Sequence, residues 1–72
     1  MSDFYGKVYR YGDKIVGVVR GLGPVWIVAW KTATGGSRRL KVRRLAPSKS
    51  AQVMQDDLDA WAADLGLQEA QA

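Results

Sequence analysis

The chain contains no cysteine and no histidine. Without cysteine, no disulfide can brace it, and a reducing compartment is compatible with its composition. Without either residue, the usual zinc ligand sets and the commonest general base are gone. Serine, lysine, tyrosine and carboxylates are present, but no spacing gathers them into convergent acid–base or nucleophilic groups. The expectation is a protein that is not an enzyme, with no catalytic residue, no metal and no cofactor. No apolar run approaches the ~18 residues of a membrane span, so no membrane partner is expected. The opening Met1-Ser2-Asp3-Phe4 lacks the basic-then-apolar order of a signal peptide. A soluble, cytoplasmic protein is expected. Acids are scarce where bases are dense. Residues 1–50 carry all eleven cations against only Asp3 and Asp13, a net +9, whereas residues 51–72 carry five acids and no cation, a net −5. Such a division points to one basic working surface and one acidic one.

What is present fits a single domain over all 72 residues. A chain of this size buries only about 60% of its unfolded surface, so its core is thin. Residues 4–46 read as an antiparallel β meander. "FYGKVYRY" (4–11) is rich in aromatic and β-branched residues, and Gly12-Asp13 makes a turn. "KIVGVVR" (14–20) is a second strand, broken by "GLGP". "VWIVAWK" (25–31) is the most apolar strand. The Gly35-Gly36 pair suits a hairpin with positive φ before a fourth strand, "RRLKVRRL" (38–45). Pro47 ends the sheet.

Residues 48–66 read as an amphipathic helix. Ser48 or Ser50 can cap it. Met54, Leu58, Trp61 and Leu65 form an apolar stripe at helical spacing, widened by Val53 and Ala62. Gly66 suits a left-handed stop, and residues 67–72 are expected to fray. The fold class expected is mainly β: a four-to-five-stranded antiparallel barrel or bent sheet with a C-terminal α-helix. Gly17, inside the second strand, is the type of residue that permits such a bend.

"GDKIVGVVRGLGPVWIVAW" resembles the opening of a small SH3-like barrel, and "WKTATGGSRRLKVRRLAP" resembles its end. The resemblance spans residues 4–47. The overall plan is also similar to the small basic chromatin proteins of thermophilic archaea. That likeness implies duplex binding through a sheet face. This chain departs from that group in its fewer lysines and its aspartate-rich helix.

The candidate site is "SRRLKVRRL" (37–45). In a strand, Leu40 and Val42 face the core, and Arg39, Lys41 and Arg43 make a ladder on the other face at roughly 7 Å spacing. Arg38 and Arg44 emerge at the rims. Arginine suits planar recognition of phosphate or carboxylate. The alternative is a solvated edge strand made basic against aggregation. Tyr5, Tyr9 and Tyr11 share one parity with Lys7. They form an aromatic–basic surface if that face is exposed and core if it is not. Both faces of 25–31 are apolar, so that strand should be central. Trp61 should be core, packed against Trp26 or Trp30, with the other exposed.

The reading is a small nucleic-acid-binding module using Arg38, Arg39, Lys41, Arg43 and Arg44, supported by Arg20, Lys31, Lys7 and Tyr9. Contacts to phosphates give little sequence specificity, and duplex DNA is favoured over single strands or RNA. The alternative is a protein–protein adaptor or inhibitor, of the kind mobile elements encode, placing the same surface on an acidic partner. A homodimer joining the basic half of one copy to the acidic half of another is a third reading.

Overall fold

A glycine at φ +64° turns the first hairpin. Gly12 lies between β1 (Val8–Tyr11) and β2 (Lys14–Arg20), in the left-handed region that costs glycine least. The computed structural model describes residues 4–32 and 36–70. The "GLGP" turn, closed by Gly21 N–H donating to the Val25 carbonyl at 2.7 Å, leads to β3 (Trp26–Lys31). The next hairpin leads to β4 (Ser37–Arg39), and the Gly36 carbonyl accepts from both Thr32 N–H and Thr32 Oγ1. Gly35 lies outside the described residues. Then come α1 (Ala51–Leu65) and β5 (Gln68–Ala70). All pairings are antiparallel, in the order β4-β3-β2-β1-β5. The sheet does not close, so of the two expected forms the barrel is not built, and the strands make one open sheet. A small five-stranded antiparallel sheet with one helix is compatible with an SH3-like fold. No helix among the described residues is long and apolar enough to cross a membrane.

Three boundaries differ most from the sequence reading. β1 starts at Val8, not at Phe4, although Tyr5 N–H still reaches the Val18 carbonyl at 2.7 Å. The fourth strand stops at Arg39 instead of running to Leu45. Leu40 N–H still donates to Val28, but the chain then turns at Arg43-Arg44, with Leu45 N–H donating to the Val42 carbonyl. Parity explains the break. Leu40, Val42 and Leu45 all pack in one core, and Leu45 has the wrong parity for an unbroken strand. The third difference is the tail, expected to fray. Gly66, at φ +68°, reverses the chain, and Gln68–Ala70 pairs along β1.

One core lies between the sheet and α1. Val16, Val18 and Val28 meet Met54, Leu58, Trp61 and Ala62, with Tyr9 and Leu45 at the sides. The helix begins at Ser50, whose side chain accepts from Val53 N–H, one of the donors a helix start leaves unpaired. Of the expected stripe, Leu65, the last residue of α1, is 52% exposed, and Val53, about 100° around the helix from Met54, is also exposed. On the opposite face Val8, Val19 and Ala29 are buried, and Phe4 lies across Gly17. β2 and β3 are thus buried on both faces, as a central pair should be.

Candidate nucleic-acid interface

The register sorts the cations. Lys31 sits opposite Ser37, Arg38 opposite Trp30, and Arg39 opposite Ala29. Alternation puts Arg38 on the α1 side of the sheet, and Arg39 and Lys31 on the other. Lys41 and Arg43 follow in the irregular segment beyond β4, so the expected straight ladder of Arg39, Lys41 and Arg43 is not built. All five are exposed, and among the described residues none has an ion-pair partner. Arg38, Arg39, Lys41 and Arg43 lie on β4 and its continuation, and Lys31 on the neighbouring β3.

Four other expected site residues are already engaged. Arg44 pairs with Asp64, and Lys7 lies 4.0 Å from Glu69. The Arg20 guanidinium sits 4.8 Å from the centre of the Trp26 ring and donates to the Gly23 carbonyl at 3.4 Å. Tyr9 is in the core, not on a binding surface, and its hydroxyl donates to Asp59 Oδ1 at 2.6 Å. Gln55 Nε2 also donates to that carboxylate and to the Lys7 carbonyl. The tyrosine parity is therefore split: Tyr9 is core, and Tyr5 and Tyr11 reach the surface.

Burial first, then the Asp59 carboxylate, push the Tyr9 phenol up from 10.0 to about 12. The neutral phenol is thus favoured in the folded state. Its contribution is complete below the unfolded value near pH 10 and is lost as pH rises towards about 12. Tyr9→Phe should cost roughly 1.5–3 kcal/mol near neutrality, since the lost bond is to a charged acceptor. It should also flatten the stability loss above pH 10, as urea titrations across that range would show. An unchanged alkaline slope would refute the assignment.

The aromatic contacts could not be read from parity alone. Trp61 packs on Tyr11, at 5.2 Å between ring centres, where Trp26 or Trp30 was expected. Tyr5 meets the Trp26 ring edge-on at 5.4 Å. Lys14, which the sequence reading left out, sits 4.9 Å above the Trp30 ring. Its signal was the hairpin register, which sets Lys14 beside Tyr11.

A groove of about 470 Å³ opens on the face away from α1. Val19, Leu22, Val25, Ile27 and Pro47 form it, and Arg39 borders it. Leu22 is 93% exposed. Among the described residues, no cluster of acids could hold a metal ion. Comparison with protein-family models, with curated proteins and with solved structures finds no match to this chain.

Proposed function

We propose that the protein is a small nucleic-acid-binding module that grips backbone phosphates along the β4 edge. One observation carries this reading: Lys31, Arg38, Arg39, Lys41 and Arg43, on both faces of β4 and around it, are exposed, and among the described residues none has an ion-pair partner. Several of the acids are engaged by other residues, Asp59 by Tyr9 and Gln55, Asp56 by Gln52 and Asp64 by Arg44. Like charges held together repel unless a polyanion neutralises them, and arginine suits phosphate. A straight basic strand favours duplex DNA, because it can lie along a groove. The strand ends at Arg39, so no such straight strand is present, and contact with phosphates does not require one. The likeness in plan to archaeal chromatin proteins and the SH3-like resemblance are proposals of the same rank, as is a cytoplasmic setting. In those chromatin proteins a sheet face binds DNA, whereas here α1 packs on one face and Phe4 lies on part of the other.

Fluorescence anisotropy of a labelled random duplex and a matched single strand, at low and moderate salt, tests the proposal. Duplex binding should weaken steeply, with a log–log slope of about −0.9 per phosphate neutralised. Replacing Arg38, Arg39, Lys41 and Arg43 together by alanine should cut affinity at least ~10-fold and reduce the slope by about one per lost contact. No binding at low salt would end the reading.

The groove favours a second reading, an acidic protein partner. Apolar walls beside Arg39 would take an apolar side chain flanked by carboxylates. Such a complex would depend weakly on salt and would be lost on Leu22→Ser as well as on Arg39→Ala.

A further inference from the structure

We infer that a single-stranded nucleic acid crosses the sheet over Tyr11, Lys14, Trp30 and Arg38, its bases on the two rings and its phosphates on the two cations. This rests on the nucleic-acid reading above and adds the strand type and the path. The register supplies the row. Tyr11 of β1 is paired with Lys14 of β2. Trp30 of β3 stands between Val16 of β2 and Arg38 of β4. Lys14 and Val16 are two residues apart and share a face. Each of four adjacent strands thus gives one side chain to the same face, the one α1 packs on, alternating aromatic and cationic beside Trp61 of the helix.

The contacts agree with the register. Lys14 Nζ lies 4.9 Å from the centre of the Trp30 ring, so the row is physically joined across β2 and β3. Buried Trp61 backs the Tyr11 ring at 5.2 Å and leaves Tyr11 38% exposed. Lys14 and Arg38 are exposed, and Trp30 is half-buried. Asp64, in the last turn of α1, is taken by Arg44, and Asp13, the chain neighbour of Lys14, is exposed.

Strand spacing and the two-residue offset put the two rings on the order of 12 Å apart, the reach of a few nucleotides. Base stacking needs unpaired bases, because a duplex hides their faces. A duplex could be held by the β4 edge but could not use Tyr11 or Trp30. Lys14 acts as a cover in the unbound protein. When a base takes the Trp30 face, the ammonium is released towards the neighbouring phosphate.

The test compares three labelled probes of equal length: a single-stranded oligothymidylate, an abasic strand with the same phosphates, and a duplex. The oligothymidylate should bind at least ~10-fold more tightly than the abasic strand, as stacking of one or two bases requires. It should also quench tryptophan emission. Tyr11→Ala should lose about tenfold for the oligothymidylate and little for the duplex, and Tyr11→Phe should restore binding. The probe comparison needs no variant, so a misfolded Tyr11→Ala cannot obscure it. If the abasic strand binds as well as the oligothymidylate, with steep salt dependence, the stacking path is wrong and the phosphate reading survives. If no probe binds at low salt, both are wrong.

Discussion

Leu58→Ala should destabilise the protein by about 2–5 kcal/mol, the usual cost of truncating a fully buried leucine. Leu58 has no exposed surface and lies midway along the apolar stripe, between Met54 and Trp61. Below it are Val16, Val18 and Val28, the only valines of the sheet in that core cluster. No disulfide supports the chain, so a cavity here has no second core to fall back on. A domain of this length has roughly 4–11 kcal/mol in total. The substitution therefore removes a large share of stability, and the melting temperature should fall by at least about 10 °C. Leu65→Ala is the control. Leu65 is on the same helix but 52% exposed, so its replacement should stay within about 0.5 kcal/mol. Thermal and urea melts followed by circular dichroism decide between them. Equal, small effects would mean that α1 does not dock on β2 and β3.

Much of this fold was legible because local signals agreed with one another. Lys14–Arg20 is bracketed by Gly12-Asp13 and by Gly21, and its strand occupies those seven residues. Ser50 and Gly66 punctuate the helix, and both act as caps. The errors arose where a tertiary constraint overrode the local pattern. Leu40 and Val42 alternate like a strand, but burying Leu45 beside them requires a turn that alternation does not reveal. Gln68-Glu69-Ala70 has no strand pattern of its own, and it pairs because the outer edge of β1 lies beside it. A short segment with a waiting edge needs little propensity.

The candidate site was legible as charge, not as geometry. The excess of arginine in 37–45 is plain from the sequence. Which cations stay unpaired is not, because Arg44 meets an acid twenty positions away and Lys7 meets one at position 69. Tyr9 and Tyr11 share parity and composition, yet one bonds Asp59 in the core and the other reaches the surface against Trp61.

Gly17→Ala should destabilise the fold, and the cost should shrink when Phe4 is also replaced. The sequence reading assigns Gly17 a bend; the structure also gives it a close neighbour. A Cβ at residue 17 would lie 2.4 Å from Phe4 Cδ1 and 2.7 Å from Val8 Cγ1, both too close to survive without movement. Gly17 does not have a positive φ, so the obstacle is space and not backbone strain. Overpacking of this kind costs about 1–3 kcal/mol. Alanine recovers roughly 0.4–1 kcal/mol by restricting the unfolded chain, which leaves a net loss. Gly17→Val would be worse, because its branches extend further into Phe4. Phe4→Ala removes two of the three closest atoms, leaving only Val8 in the way. A double-mutant cycle on Gly17→Ala and Phe4→Ala, measured by urea unfolding, should give a coupling of about 1 kcal/mol or more. Additive effects would show that Phe4 does not rest on this face. Coupling would fix the N-terminal segment against β2.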